Sequence, residues 1–202
     1  MLTIDEAAPP DDAFLLRGLS QPPAAASIVN TSYLEYILAV DNLIDLFIAN
    51  FGWNDLIKPW FDVWMPGSTI EQFVGEVLPT LTPLDVGPLG FMLMFPERRA
   101  RFTRPAFRLP SNDGGEFVYL FDVLTASPTP GPNPAYVEQM LTRNRNLFDR
   151  ARELGGTRYP IGSLDFTAAD WTEQYGEFWT EFTRRKVQYD PDNILTPGPG
   201  IF

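Results

Sequence analysis

Histidine and cysteine are both absent from this 202-residue chain. Without thiols there is no disulfide, no thiolate nucleophile and no zinc–thiolate site, and without imidazoles the commonest general base is missing as well. Chemistry here must rest on carboxylates, tyrosine, lysine or a bound cofactor. The Gly-rich patterns G-x-G-x-x-G and G-x-x-x-x-G-K-[ST], which cradle dinucleotide and nucleotide phosphates, are also missing. Cations are scarce: 15 Lys and Arg stand against 26 Asp and Glu, a net charge of −11. That balance opposes a phosphate backbone and excludes a nucleic-acid role. No apolar run reaches membrane-spanning length, so no membrane partner is expected. The stretch Met1 to Asp12 lacks the basic region and apolar core of a secretory signal. Asn30-Thr31-Ser32 is a formal glycosylation triplet with no export signal beside it. The expected location is cytoplasmic.

What is present is a body able to fold. With 45% hydrophobic and 14% aromatic residues, a chain of this length fits one domain and buries roughly 70% of its unfolded surface. Residues 1–27, rich in Ala, Pro and Asp, read as a partly ordered lead with a break at Gln21-Pro22-Pro23. Apolar spacing at Tyr36, Val40, Leu43, Phe47 and Phe51 predicts a helix over 33–51 ended by Gly52. Phe61 to Met65 reads as a short strand. Ser68-Thr69-Ile70-Glu71 has the form of a capping box opening a helix to about Leu78. Gly90 to Phe95 and Phe117 to Leu124 read as strands without clean alternation, which suggests burial on both faces. Pro134 to Leu154 forms a helix with Val137, Met140, Leu141, Phe148, Ala151 and Leu154 on one side, stopped by Gly155-Gly156. A last helix runs from Thr167 to about Val187, with an aromatic face of Trp171, Tyr175, Phe178, Trp179 and Phe182. Strands interleaved in this loose order with helices indicate an α+β fold, a mixed or antiparallel sheet covered by helices.

Three places can carry chemistry. Trp60 and Asp62 flank Phe61, so on a strand they share one face while Phe61 takes the other. Together they would make a flat wall with one polar handle; equally, Trp60 could fill the core with Asp62 at a sheet edge. Tyr159, in the turn Gly155-Gly156-Thr157-Arg158-Tyr159-Pro160, can pack on a cofactor or fill a gap. The segment from Tyr189 to Phe202 has a polar turn, the apolar pair Ile194-Leu195 and a stiff Pro197-Gly198-Pro199-Gly200 run. It reads as a docking strap or as an ordinary Pro/Gly-rich terminus.

The order of motifs settles on one family. Lys58-Pro59-Trp60-Phe61-Asp62-Val63-Trp64-Met65-Pro66, then Leu93-Met94-Phe95-Pro96, Phe117 to Leu124, Asn144-Arg145-Asn146, Tyr159, Asp170-Trp171, Trp179, Arg185-Lys186, Tyr189-Asp190-Pro191 and the Pro-Gly-x-x-Ile-Phe ending follow one another along residues 30–202. This set resembles the C-terminal half of cytokinin dehydrogenases, FAD-linked oxidases of the vanillyl-alcohol-oxidase type. The resemblance implies a substrate cap domain over 28–188 and a strap, 189–202, returning to a flavin-binding domain or chain. FAD would be held mainly by that domain, which this chain lacks, often through a histidine there.

The resemblance also assigns roles. Trp60 and Asp62 match a Trp and an Asn beside the substrate, and Tyr159 matches a residue near the flavin ring. Gly198 and Gly200 flank Pro199, which stands where the family has a flavin-approaching Gln and supplies neither its amide nor a backbone N–H. Leu43 falls where the plant-type enzymes place an acidic substrate anchor. The family's general base lies in the absent domain, so no catalytic residue is assigned. With Asp62 in place of an amide, a cationic or strongly donating group is expected at the Trp60 wall. Two functions follow. One is the substrate-binding cap of an FAD-dependent oxidoreductase moving a hydride from an amine or alcohol to flavin, with the isolated chain inactive. The other is a non-catalytic binding module that associates with a separate flavin-binding chain. The uncovered flavin-facing surface also suggests self-association.

Overall fold

The computed structural model describes residues 11–18, 27–195 and 199–202. The chain divides into two compact units, Met1–Asn54 and Asp55–Phe202. In the first, α1 (Asp12–Leu15) is followed by α2 (Tyr33–Phe51). Ser32 starts α2 because its hydroxyl accepts the Glu35 N–H at 3.2 Å while the Glu35 carboxylate accepts the Ser32 N–H at 3.0 Å. This capping box satisfies two of the donors that a helix start leaves bare. Gly52, at φ +62°, closes the helix as expected. The apolar spacing does mark a helix, but none of its residues is buried, and Tyr36, Val40, Leu43 and Phe51 are exposed.

The second unit carries a sheet of four strands, β1 (Phe61–Pro66), β2 (Phe91–Arg98), β3 (Phe117–Leu124) and β4 (Thr157–Arg158), in the order β2-β3-β1-β4. Every pairing is antiparallel. Around it lie α3 (Ile70–Val77), α4 (Pro83–Val86), α5 (Pro134–Glu153), α6 (Ala168–Tyr175) and α7 (Phe178–Tyr189), so the fold is α+β. The expected burial of two strands on both faces holds for most of β3 but fails for β2. As the edge strand, β2 covers neither face fully, and Met94 and Phe95 are exposed. β1 is the strand buried along its whole length, because it lies between β3 and β4.

Alternation along β1 sends Phe61, Val63 and Met65 to one face, where they pack with Phe121 and Val123 against Phe73 of α3 and Phe148 and Ala151 of α5. Beyond α5, Trp171 is fully buried and stands edge-on to Phe166, with centroids 4.8 Å apart. Arg158 lies across both rings, its guanidinium carbon 4.5 Å from one centroid and 4.6 Å from the other. A guanidinium over two aromatic faces keeps part of its electrostatic stabilisation without a carboxylate partner.

Two local expectations are corrected. The Ser68 capping box does not form: Thr69 occupies the cap position of α3 with no side-chain cap bond. Asp113 takes the Ser68 N–H at 2.9 Å, and the Thr69 hydroxyl donates to the Leu154 carbonyl at 2.7 Å. The single helix from Thr167 is two, since Gly176 at φ +51° turns the chain between α6 and α7. The start at Thr167 is as read, and it is made by a capping box in which Thr167 and Asp170 satisfy each other's N–H.

The position of β1 depends on Asn144. This residue is fully buried on α5, and its amide nitrogen donates to the carbonyls of Pro59, Trp60 and Ser163 at 3.2, 3.1 and 2.7 Å. Its carbonyl oxygen accepts from Arg143 at 2.7 Å, and Arg143 also reaches the Pro59 carbonyl and the Thr125 hydroxyl. Removing the amide leaves the Ser163 carbonyl without a partner, at ~1–3 kcal/mol, strips one bond each from the Pro59 and Trp60 carbonyls, and opens a small cavity. Asn144→Ala should therefore destabilise the fold by at least ~2 kcal/mol in urea unfolding, whereas the exposed Asn146→Ala should stay within ~0.5 kcal/mol of the parent.

Candidate functional site

The face of β1 opposite the core holds the residues singled out from sequence. Trp60, half-buried just before the strand, accepts the Ser163 N–H on its carbonyl at 2.7 Å. Asp62 follows on the same side, and its carbonyl accepts the Tyr159 N–H at 3.3 Å. Tyr159 directly follows β4, and its ring stands 5.9 Å from those of both Trp64 and Phe107. Trp60, Asp62 and Tyr159 are thus brought to one region of the sheet. Trp64, which was not expected at the site, joins them: it is enclosed by Phe102, Phe107 and Tyr159 at 5.2, 5.7 and 5.9 Å. A cavity of about 330 Å³ opens there between Trp64, Phe107, Arg108, Tyr159 and Tyr175. A larger groove of about 660 Å³ beside α5 includes none of these residues.

Gly198 lies outside the described residues. Gly200 is in a left-handed turn at φ +72° with no atom within 4 Å of where a side chain would begin. Phe202 packs on α7, its ring 5.6 Å from Trp179 and 4.9 Å from Phe182. Leu43 is an exposed residue of α2.

Asp62 is not at a sheet edge. It lies in the interior strand, 5% exposed, and the register places it directly opposite Asp122 of β3, which is 3% exposed. Residues opposite each other in an antiparallel pair have Cβ atoms ~5 Å apart, close enough here for each carboxyl to act on the other. Burial pushes both carboxyls above the ordinary carboxylate range, and for Asp122 the neighbouring Asp62 charge raises it further. One oxygen of each, Oδ2 of Asp62 and Oδ1 of Asp122, has no hydrogen-bonding partner among the described residues. Gly162 stands against the pair, because a Cβ there would come 3.0 Å from Asp62 Oδ2 and 3.1 Å from its backbone nitrogen. That close approach explains a glycine in this turn. Sequence reasoning named Asp62 and missed Asp122. The available signal was a lone acid inside the otherwise apolar run Phe117-Val118-Tyr119-Leu120-Phe121-Asp122-Val123-Leu124.

The indole N–H groups of Trp60 and Trp64 are likewise buried without a partner. Donors and acceptors left unsatisfied in one region suit a neighbour that carries heteroatoms, as a flavin or a polar substrate does. Among the described residues no cluster of three or more His, Cys, Asp or Glu is placed to hold a metal ion. No helix among them is long and apolar enough to cross a membrane.

Comparison with known proteins agrees with this chemistry. Residues 11–202 match the family model described as cytokinin dehydrogenase 1, FAD and cytokinin binding. An uncharacterized oxidoreductase of the fasciation locus in Rhodococcoides fascians is 30% identical over 94% of this chain and 41% of its own length. Cytokinin dehydrogenase 8 of Oryza sativa subsp. indica is 29% identical over 86% of this chain and 33% of its own length. Cytokinin dehydrogenase 2 of Arabidopsis thaliana is 25% identical over 93% of this chain and 36% of its own length. The chain therefore spans between a third and about two fifths of these relatives. With its matched span covering nearly all of its residues, this chain belongs to the cytokinin dehydrogenase FAD- and cytokinin-binding family.

Proposed function

We propose that this chain is the substrate-facing cap of an FAD-dependent oxidoreductase, with substrate held between the β1 face and a flavin carried on a separate domain or chain. The reading is carried by one observation: Trp60, Asp62, Trp64 and Asp122 leave unpartnered polar atoms on or beside a single strand, in a family defined by FAD and cytokinin binding. Bound FAD would supply the acceptor for a hydride leaving the carbon of a CH–NH or CH–OH group. The Trp60 ring would lie along the substrate, Asp62 would bond its amine or hydroxyl, and the Trp64–Phe107–Tyr159 cluster would keep water out. A substrate group reaches Asp62 only past the Tyr159–Ser163 turn, because Gly162 stands against that carboxyl. Leu43 at the acidic anchor position of the plant-type enzymes argues for a substrate other than cytokinin itself.

Residues 1–202 alone should bind FAD weakly or not at all, since the chain has no Gly-rich phosphate cradle and a net charge of −11 that repels a dinucleotide. Isothermal titration with FAD checks this, and stoichiometric tight binding would defeat the cap reading. The surface left open should also make the chain associate. Leu34, Ile37, Leu38 and Leu46 of α2 are exposed, and contiguous apolar patches seldom stay bare on monomers. Light scattering over a concentration series should show association that Leu38→Ser reduces; a monomer throughout is the contrary result. With a flavin-binding chain supplied, Asp62→Asn should change the ranking of amines against alcohols by roughly ten- to a hundredfold in kcat/KM, the equivalent of one buried hydrogen bond. An unchanged ranking removes Asp62 from the substrate wall.

A further inference from the structure

A lone carboxylate at position 62 could only accept hydrogen bonds. The structure sets a second carboxyl against it. Asp62 and Asp122 face each other across the β1–β3 ladder, both more than nine-tenths buried, each with one oxygen unpartnered. Two ionised carboxylates cannot occupy such a site together: the repulsion between them is large in a poorly solvating interior, and each also loses hydration. A nearby cation would relieve this, and the pair has none. The opposing residue on β2 is Leu93, and the next ladder position along β1 and β3 holds Trp64 and Leu120. From the turn beyond β4 come Gly162 and the titratable Tyr159. Arg158 of β4 is opposite Val63, on the core side of the sheet. Its guanidinium donates to the Gly162 carbonyl at 3.1 Å and rests on Phe166 and Trp171. No cation contributes to the shift of either carboxyl.

We propose that Asp122 is a positioning residue that sets substrate specificity: it shares one proton with Asp62, so that the handle beside Trp60 meets the substrate as a singly charged acid pair able to donate as well as accept. This rests on the reading of Trp60 and Asp62 as the substrate wall. The family's amide at this position donates and accepts too, and a half-protonated acid pair recovers both capacities from two acids. With both carboxyls protonated at low pH the pair is neutral and the pocket takes a neutral hydroxyl or an unprotonated amine. With one proton shared it carries a single negative charge and keeps a donor, and as that proton leaves it becomes a dianion and preference moves to an ammonium group. The pair titrates as a unit, so the change belongs to both residues.

The first test needs no flavin and no substrate. The full chain is labelled with carbon-13 at aspartate side chains, and the carboxyl signals are followed by NMR against pH in the parent, Asp62→Asn and Asp122→Asn. The expected result is one carboxyl of the pair still protonated well above the ordinary aspartate value of about 4. In Asp62→Asn the remaining Asp122 signal should move back toward that value, because the neighbouring charge that raises it is gone. Thermal unfolding gives a second readout. A carboxyl whose pKa is raised in the folded state binds more protons folded than unfolded between its two values. Its stabilising contribution is complete below the unfolded value and is lost as pH rises through the folded one. The parent should lose melting temperature relative to Asp122→Asn as pH rises from about 4 toward 8. Two independent ionisations near the ordinary value, or no difference in that slope, overturn proton sharing.

The specificity arm uses the chain completed with its flavin-binding partner and compares matched alcohols and amines against pH. Asp122→Asn should shift the pH at which preference passes from neutral to cationic substrates down toward the ordinary carboxylate range, and Asp62→Asn should abolish the crossover. If Asp62→Asn alters the ranking and Asp122→Asn does not, the proposal fails while the substrate wall stands. If neither alters it although the carboxyls are seen to share a proton, the substrate wall itself falls, and the specificity role falls with it.

Discussion

The carboxamide of Asn144 fixes where β1 begins, and the face on which each residue of the strand lies follows from that start. Because side chains alternate along a strand, a slip of one residue would send Phe61, Val63 and Met65 out of the core and put Asp62 and Trp64 into it. The carbonyls of Pro59 and Trp60 both accept from this one amide, and Ser163 ties the same stretch to the turn beyond β4. An apolar side chain at position 144 could fill the volume but could not fix the register. A buried amide is justified here by the specificity it gives, since its bonds are oriented and join three carbonyls from two segments.

The two faces of the sheet handle charge in opposite ways. Along the outer side of α5, Arg145, Arg150 and Arg152 engage Asp149, Asp170, Glu76, Glu153 and Glu173. Burial by itself would raise the Asp170 carboxyl, but bonds from Arg145 and from the Thr167 N–H and hydroxyl outweigh it and hold it well below the usual range. Several of these pairs are partly exposed, so their worth lies in the shared network more than in any single contact. Asp62 and Asp122 have no such partners and are pushed upward. In a chain with a surplus of acids, cations placed on α5 stabilise the scaffold, and an acid pair left without them becomes a titratable element.

Sequence periodicity located most elements because the responsible residues are local. Gly52 and Gly155 close helices through positive φ, and Thr167 and Asp170 open one through bonds three residues apart. Where the sequence misled, the competitor came from far along the chain. Ser68 has the capping partner its motif requires in Glu71, yet its N–H goes to Asp113, 45 residues away. Gly176 lies within an aromatic pattern that continues on both sides, so the pattern hid the break. The site was half legible for the same reason: alternation predicts that Trp60 and Asp62 share a face, but only the register reveals Asp122, 60 positions on. The ring cluster at Trp64 likewise assembles Phe102, Phe107 and Tyr159 from separate segments.

The unpaired acids also bear on how such a surface can change specificity. An ion pair in this place would fix one charge state and leave desolvation to be offset by geometry alone. A hydrophobic pair would stabilise the sheet and read nothing. Two acids facing each other across the ladder keep a proton within the site, and its retention depends on burial and on the neighbouring charge, both set by the packing of β1, β3 and the Gly162 turn. A substitution at Gly162, which touches no reacting atom, would therefore act on the pair through the 3.0 Å approach to Asp62 Oδ2. Substrate preference on this face is then a property of the sheet's register and cover as much as of the residue that meets the ligand.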